Sequence, residues 1–193
     1  MSDIAMLPAH ALAESIRRRE VSSRELLDHY LDRVQRLNPR LNAVVTLDCD
    51  GARQAAEAAD AALARGEVNG PLHGVPMTIK DTYETAGMRT TSGLPAWDGV
   101  PERDADAVRR LRGAGAVIFG KTNTPTKAGD WQTVNPIFGA TNNPWDTTRT
   151  TGGSSGGSAA ALAAGLTALE LGSDIAGSIR VPSNWCGVCG HKS

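Results

Sequence analysis

Glycine and serine are concentrated in two short stretches near the end of the sequence, and these stretches most constrain how the chain can fold. The first covers residues 151–158 and reads Thr-Gly-Gly-Ser-Ser-Gly-Gly-Ser, and the second covers residues 172–180. Glycine permits backbone angles that other residues avoid and lets main-chain N–H groups approach a ligand. Serine hydroxyls can attack a substrate or relay a proton. Because an Ala-rich run joins the two stretches, they predict one site assembled from two loops around a helix.

Size and composition restrict the class of protein. Of the 193 residues, 40% are hydrophobic but only 4% are aromatic, so the core must consist mainly of Ala, Val, Leu and Ile. The formal net charge is −1 and no basic block occurs, which argues against a nucleic-acid-binding surface. No apolar run approaches the roughly 20 residues of a membrane span, and the N-terminus lacks the positive region of a signal peptide. These features predict a cytoplasmic protein that neither binds nucleic acid nor enters a membrane.

The three cysteines, Cys49, Cys186 and Cys189, also favour a reducing compartment, since an odd number does not make a disulfide framework. Cys186 and Cys189 have C-x-x-C spacing, and His191 is the only other soft ligand nearby. A zinc site needs a second ligand pair, and a redox motif needs a thioredoxin-like context. We therefore expect Cys186 and Cys189 to be buried or half-buried structural thiols, and we expect no metal and no organic cofactor.

The order of helical and strand-like segments predicts an α/β layered domain. Ser22 and Glu25 form a capping box before an amphipathic run, and Pro39 marks the expected end of that helix. An Ala-rich helix is predicted over 52–65, with Gly66 as its C-terminal cap. Further strands are predicted over 42–47, 75–79 and 116–119, and further helices over 104–112 and 159–164.

Two catalytic patterns match letter for letter but lack their structural context. Residues 115–122 fit the phosphate-binding loop G-x-x-x-x-G-K-[ST], yet the middle letters Ala-Val-Ile-Phe predict a buried strand, not an open loop. Residues 153–157 fit the nucleophile elbow G-x-S-x-G around Ser155, but the only downstream histidine is His191, close to the end. We therefore expect neither nucleotide binding nor a Ser-His-Asp triad.

Lys80 is the lysine whose surroundings best suit a neutral amine. It ends an apolar stretch, and burial disfavours an ammonium group and lowers its pKa. A fall of about three pKa units, roughly 4 kcal/mol, is needed for a lysine to be largely neutral at pH 7. Two interpretations stay open on these grounds: a buried base that serves a serine nucleophile, or a solvated Lys80–Asp81 pair with no chemical role.

Several ordered motifs together resemble the amidase signature family, from about Ser22 to the last residue. The motifs lie at 74–81, 120–123, 141–145, 152–160, 172–182 and 186–190. The resemblance implies an α/β fold in α/β/α layers, with a mixed β-sheet flanked by helices, which is incomplete in this chain because family members are usually much longer. It implies a single domain over 1–193, with a mainly helical lead-in (1–70) and a catalytic core segment (71–193).

The resemblance also implies a Ser-cisSer-Lys triad. Ser178 corresponds to the acylated nucleophile, Ser154 to the bridging serine after a cis peptide bond, and Lys80 to the base. Ala176 stands where the family often has glycine, which is tolerable if its backbone is not left-handed. The implied oxyanion hole consists of the backbone N–H groups of Ile175, Ala176, Gly177 and Ser178.

The implied activity is hydrolysis of a small-molecule carboxylic amide to an acid and ammonia or an amine, through a Ser178 acyl-enzyme. One alternative is the glutamine-hydrolysing A subunit of a tRNA-dependent amidotransferase, although Ile175 and Val181 resemble the amidase branch more. Another is an inactive binding or scaffold remnant. We expect the 193-residue chain to be a truncated form that is inactive in isolation. A homodimer is left open, since helices near the N-terminus could pack inward or on a partner.

Overall fold

The computed structural model describes residues 4–193, and its centre is a four-stranded mixed sheet. The strands are β1 (Val44–Leu47), β2 (Pro76–Lys80), β3 (Val117–Thr122) and β6 (Glu170–Leu171), and a separate hairpin pairs β4 (Val134–Asn135) with β5 (Gly139–Ala140). The sheet order is β1-β3-β2-β6. Strand β2 pairs in parallel with β3 and β6, whereas β1 is antiparallel to β3. Strands β2 and β3 are buried throughout, which is typical of parallel strands with both faces covered.

Helices cover the two faces of this sheet. They are α1 (Ala9–Arg17), α2 (Ser23–Leu41), α3 (Cys49–Ala64), α4 (Asp106–Gly113), α5 (Gly156–Ala163) and α6 (Arg180–Cys186). On one face, α1, α2, α3 and α5 share an apolar core with Phe119 and Val75, and on the other face Val108 of α4 packs with Met77 and Ile118. These layers confirm the predicted α/β class. None of the helices described between residues 4 and 193 has the length and apolar character needed to cross a lipid bilayer.

Helix α2 confirms the predicted start and corrects the predicted end. Ser22 Oγ accepts a hydrogen bond from the backbone of Glu25 at 3.0 Å, and the Glu25 carboxylate accepts one from the Ser22 backbone at 2.9 Å. The prediction that Pro39 ends the helix is wrong, because α2 continues past it to a left-handed cap at Asn42 (φ 52°). A proline in the last turn removes a single backbone donor, and the Asn38 side chain accepts two N–H groups beyond the helix end.

Helix α5 begins inside the first Gly/Ser stretch, three residues before the predicted start at Ala159. Gly157 makes this possible, because a Cβ atom there would lie 2.6 Å from the carbonyl oxygen of Asn123. The helix ends before Gly165, which has a φ of 62°, and the chain then enters β6. The Ala-rich run between the two stretches is therefore a helix followed by a strand, not one helix.

The structure confirms the prediction for residues 115–122 but only half of the prediction for the C-x-x-C pair, Cys186 and Cys189. Lys121 lies within strand β3 and is fully buried, so residues 115–122 are not a phosphate-binding loop, as predicted. Cys186 is buried, and this burial raises the pKa of its thiol to about 12. The expectation of a buried or half-buried thiol is wrong for Cys189, which is exposed because Gly187 (φ 68°) turns the chain away after α6.

Candidate active site

Lys80 is fully buried at the carboxyl end of β2, and its amine contacts two serine hydroxyls. The Nζ atom is hydrogen-bonded to Ser154 Oγ at 2.6 Å and to Ser173 Oγ at 2.9 Å. Burial lowers the pKa of Lys80 to about 7, although the carboxylates of Asp174 and Glu170 oppose the fall. A large fraction of this amine is therefore neutral near pH 7, and the alternative of a solvated Lys80–Asp81 pair is wrong.

The backbone around Ser154 requires glycine on its N-terminal side. Gly152 has a φ of 78°, in the left-handed region that favours glycine. A Cβ atom at Gly153 would lie 2.7 Å from the carbonyl oxygen of Asp130. The Gly153–Ser154 peptide bond is cis, as the resemblance predicts. Ser154 is buried just before α5, and its side chain reaches the Lys80 amine.

Ser178 lies on the wall of the same site without completing the hydrogen-bonded chain. The Ser155 backbone donates to the carbonyl oxygen of Ser178 at 3.0 Å, which joins the two Gly/Ser stretches. Within residues 4–193, the Ser178 hydroxyl makes no hydrogen bond to Lys80 or Ser154. Instead, Ser154 and Ser178 both line an open cleft of about 490 Å³. Its other lining residues include Lys127, Asp130, Trp131, Ser173, Ile175 and Ala176.

Asp174 holds the turn that carries Ser178. Its carboxylate accepts hydrogen bonds from the backbone N–H groups of Gly177 (2.7 Å), Ile179 (3.0 Å) and Arg180 (3.2 Å). The Arg180 guanidinium pairs with the same carboxylate through two nitrogens, at 3.0 and 2.9 Å. The Arg180 hydrogen bonds, together with the backbone donors, hold the pKa of Asp174 well below its usual range. This carboxylate therefore stays charged and keeps the turn closed.

The backbone N–H groups predicted to form the oxyanion hole differ in whether they are free to bind a substrate oxygen. The Gly177 N–H group is already engaged by Asp174, so it is not free for a substrate oxygen. In the part of the chain that the structure describes, the N–H groups of Ile175, Ala176 and Ser178 have no hydrogen-bond partner. Ala176 does not have a positive φ, which meets the condition for replacing the family's glycine with alanine.

Two residues of this site were missed by sequence reasoning, although both lie in the quoted motif at 172–182. Ser173 supplies the second hydroxyl against Lys80, and Asp174 fixes the turn. A serine and an aspartate at the carboxyl end of a strand, followed by a glycine turn, were the available signal. Ser155, the centre of the G-x-S-x-G match, is buried and donates to the carbonyl oxygen of Ser173 at 3.3 Å.

Comparison with known proteins identifies the family. A model of the Amidase family matches residues 25–193. This chain belongs to the Amidase family. A relative from Acidothermus cellulolyticus, the A subunit of a glutamyl-tRNA(Gln) amidotransferase, is 48% identical over 193 residues, covering 100% of this chain and 38% of its own length. The chain thus spans well under half of the curated relatives that it matches first, at 38–41% of their length.

Solved structures of this Amidase-family fold agree with the sequence match. A crystal structure of an amidase superposes with a TM-score of 0.84 at 41% identity, covering 92% of this chain and 41% of the other. The structure of 6-aminohexanoate cyclic dimer hydrolase complexed with substrate gives a TM-score of 0.86 at 39% identity, covering 96% and 37%. The predicted resemblance to the amidase signature family is therefore confirmed.

Proposed function

We propose that this site hydrolyses carboxylic amides by acyl transfer, with Ser178 as nucleophile and with Ser154 and Lys80 as the proton relay. The observation that carries the proposal is the 2.6 Å hydrogen bond between Ser154 Oγ and a buried amine whose pKa is lowered to about 7. Ser154 and Ser178 line the same cleft, so a substrate bound there would lie next to both residues. A nucleophile and an intermediate hydroxyl that line one cleft, with a buried base behind the second hydroxyl, are the groups that acyl transfer needs.

The reaction proceeds in two halves. In the first, Ser178 Oγ attacks the amide carbonyl carbon while its proton passes to Ser154 and the Ser154 proton passes to neutral Lys80. The tetrahedral intermediate collapses, the C–N bond breaks, and the proton returns through Ser154 to the leaving amine. In the second half, water attacks the acyl carbon while its proton passes through Ser154 to Lys80. The C–O bond to Ser178 then breaks, the proton returns through Ser154 to Ser178 Oγ, and the acid is released. The relay requires Ser178 Oγ to come within about 2.6–3.2 Å of Ser154 Oγ.

The oxyanion of both intermediates is stabilised by the backbone N–H groups that have no hydrogen-bond partner within residues 4–193. These belong to Ile175, Ala176 and Ser178, whereas the Gly177 N–H group serves the turn. Removing one donor of such a site typically costs about 3 kcal/mol of transition-state stabilisation. The Asp174 carboxylate contributes indirectly, because it fixes the backbone from which these donors project.

A covalent probe tests the proposal without knowledge of the substrate. Labelling requires only a reactive serine and not turnover of an amide, so a fluorophosphonate should label Ser178 even if the 193-residue chain does not turn over amides in isolation. Ser178→Ala should abolish the labelling. Ser15→Ala, on the surface helix α1, is the matched control and should label normally. Labelling that persists in Ser178→Ala, or wild-type protein that stays unlabelled while folded, contradicts the proposal. The second outcome supports the alternative of an inactive binding or scaffold remnant.

Glutamine hydrolysis is a second candidate, favoured by the 48% identity to the A subunit of an amidotransferase. An apolar amide is the other candidate, because two exposed apolar side chains, Ile175 and Trp131, are among the residues that line the cleft. Release of ammonia from glutamine, compared with hydrolysis of apolar and aryl amides, separates the two candidates. A homodimer, a cytoplasmic location and the absence of a cofactor stay predictions.

A further inference from the structure

Glu170 places a carboxyl group on the face of the sheet that also carries the Lys80 side chain. In the pairing of parallel strands, Thr78 lies opposite Glu170, and Lys80 lies opposite Thr122. The Glu170 carboxylate accepts a hydrogen bond from Thr78 Oγ1 and another from Thr122 Oγ1, the latter at 3.2 Å. Because these hydroxyls belong to β2 and β3, the carboxyl group extends from β6 across β2. Thr78 and Lys80 are two residues apart on β2, so their side chains share the face that the carboxyl crosses.

The charged groups around this carboxyl come from each neighbouring element. Lys80 lies on β2 and Lys121 on β3, and Asp174 follows β6. His191, near the end of the chain, lines a small cleft with Glu170 at the outer edge of β6. Helix α5 contributes an uncharged group, the Ser158 hydroxyl, which is hydrogen-bonded to Thr122 Oγ1 at 3.0 Å.

Among the two carboxyl groups that act on Lys80, Glu170 is the one whose charge changes near neutral pH. Burial raises the pKa of Glu170 to about 7, against the opposing hydrogen bonds from Thr78, Ser158 and Thr122. Asp174 stays ionised, because Arg180 and the backbone donors hold its pKa low. The negative charge of Asp174 therefore acts on Lys80 throughout this pH range, whereas the charge of Glu170 acts on Lys80 only when that carboxyl group is ionised.

We propose that Glu170 is a positioning residue for Lys80: its carboxyl group, held across β2 by Thr78 and Thr122, sets the pH at which the Lys80 amine becomes neutral. An ionised Glu170 retains the proton on Lys80, and a protonated Glu170 favours its release. This inference rests on the proposed function only in that Lys80 must be neutral to act as the base. The effect of the Glu170 charge on the pKa of Lys80 does not depend on whether the chain hydrolyses an amide.

The titration of Lys80 tests this role directly. The chain is labelled with ¹³Cε-lysine, and the Lys80 resonance is assigned as the one lost in Lys80→Met. Glu170→Gln keeps the size of the side chain and removes its charge, so the midpoint of the Lys80 titration should fall by about one pH unit. Glu67→Gln is the matched control, because Glu67 is an exposed carboxylate that pairs with Arg65, and it should leave the midpoint unchanged. An unchanged or raised midpoint in Glu170→Gln overturns the inference.

A second variant keeps the test decisive if Glu170→Gln does not fold. Thr78→Val removes one hydroxyl that stabilises the ionised carboxyl, so Glu170 is protonated over a wider pH range and the Lys80 midpoint should again fall. A midpoint that does not move in Thr78→Val equally overturns the inference. Fluorophosphonate labelling of the wild-type chain separates the two proposals. If wild type is not labelled but the Lys80 midpoint falls in Glu170→Gln, only the hydrolase proposal is contradicted. If wild type is labelled on Ser178 but the Lys80 midpoint does not move in Glu170→Gln, only the role of Glu170 is contradicted.

Discussion

The carboxylate of Asp81 pairs with Lys121, 3.7 Å away on β3, and not with Lys80, its neighbour in sequence. Successive residues of an extended chain point to opposite sides, so Asp81 and Lys80 face different layers. Asp81 also accepts hydrogen bonds from the backbone and hydroxyl of Thr91, at 3.1 and 2.5 Å. Lys80 is thereby left with serine hydroxyls as its contacts, which is the arrangement that suits a neutral base.

Replacing Lys80 tests whether an uncharged amine is needed. Both Lys80→Met and Lys80→Arg should lower the rate of Ser178 labelling by about 10²–10⁴-fold, the usual contribution of a general base. Arginine keeps the positive charge and the hydrogen-bonding capacity, but it does not lose its proton in this pH range. Labelling is followed by mass spectrometry, with far-ultraviolet circular dichroism to check the fold.

The outcome for Lys80→Arg distinguishes two roles for the lysine. If the cation only orients Ser154, arginine should restore much of the labelling that methionine loses. Lys192→Arg, at an exposed site near the end of the chain, is the matched control and should label as wild type. Substantial rescue by arginine contradicts a base at position 80.

The dependence of labelling on pH follows from the pKa of Lys80. Since the pKa is lowered to about 7, the amine is mostly protonated below this pH and mostly neutral above it. The labelling rate should therefore be low in acid and rise tenfold per pH unit as the pH approaches 7, then level off. The measurement is the pseudo-first-order labelling rate between pH 5 and pH 9. A midpoint near the ordinary lysine value of about 10.4 contradicts the buried base.

Much of the site was predictable because its side chains lie in contiguous motifs. Lys80 ends an apolar strand, but that pattern alone left both a buried base and a solvated Lys80–Asp81 pair open, and the structure decides for burial. The resemblance supplied the pairing with Ser154, which residue spacing does not give, since the two residues are far apart in sequence. The second contact of Lys80, to Ser173, depends on how β6 lies beside β2, and no local pattern encodes that register.

The fold shows the same division between local and non-local information. The capping box at Ser22 was predicted, because it depends on residues three apart. The end of α2 was not predicted correctly, because Pro39 was expected to end the helix. The helix continues to Leu41, and the Asn38 side chain accepts hydrogen bonds from the backbone N–H groups just beyond its end. The early start of α5 depends on the close approach of Gly157 to Asn123, a tertiary contact. Engagement of the Gly177 N–H group by Asp174 likewise appears only once the turn is folded.

Asp174 and Arg180 form one ion pair, but their removal should have unequal effects. Asp174→Ala removes an acceptor of three backbone N–H groups as well as the pair, and hydrogen bonds to charged groups are worth about 1.5–3 kcal/mol each. The labelling rate of Ser178 should fall by about 100-fold or more, because the turn and its N–H donors lose their support. Asp174 is buried, but Arg180 is 59% exposed, so solvent screens the guanidinium and limits its contribution to about 1 kcal/mol. The carboxylate keeps its backbone donors in Arg180→Met, so labelling should fall by about fivefold or less.

The comparison is made on purified variants with equal far-ultraviolet spectra. Arg149→Met is the matched control for Arg180→Met, since Arg149 also forms an exposed pair, with Asp146. Arg149→Met should change neither the labelling rate of Ser178 nor the free energy of unfolding measurably. If Arg180→Met proves as damaging as Asp174→Ala, the guanidinium acts on the site directly and the turn is not held mainly by the carboxylate.

Lys121 should contribute to stability and not to catalysis. Its amine donates to the carbonyl oxygen of Tyr83 at 2.6 Å, to Thr85 Oγ1 at 3.1 Å and to Thr90 Oγ1 at 2.8 Å, in addition to its pair with Asp81. Lys121→Met leaves a buried carboxylate without its cation. The free energy of unfolding should fall by about 3–5 kcal/mol, the usual cost of breaking a buried pair from one side.

The pH dependence of stability identifies this lysine independently. Burial lowers the pKa of Lys121 to about 8, so between about pH 8 and the ordinary value near 10.4 the unfolded state binds the proton and the folded state does not. Stability rises with pH wherever the unfolded state binds more protons, by about 1.4 kcal/mol per pH unit for one group. Urea unfolding of Lys121→Met at pH 8.5 and 9.5 should show a slope smaller by about this amount than that of wild type. Lys192→Met, at an exposed position, should keep the wild-type slope. An equal slope in Lys121→Met and wild type contradicts a lysine that is neutral in the folded protein at these pH values.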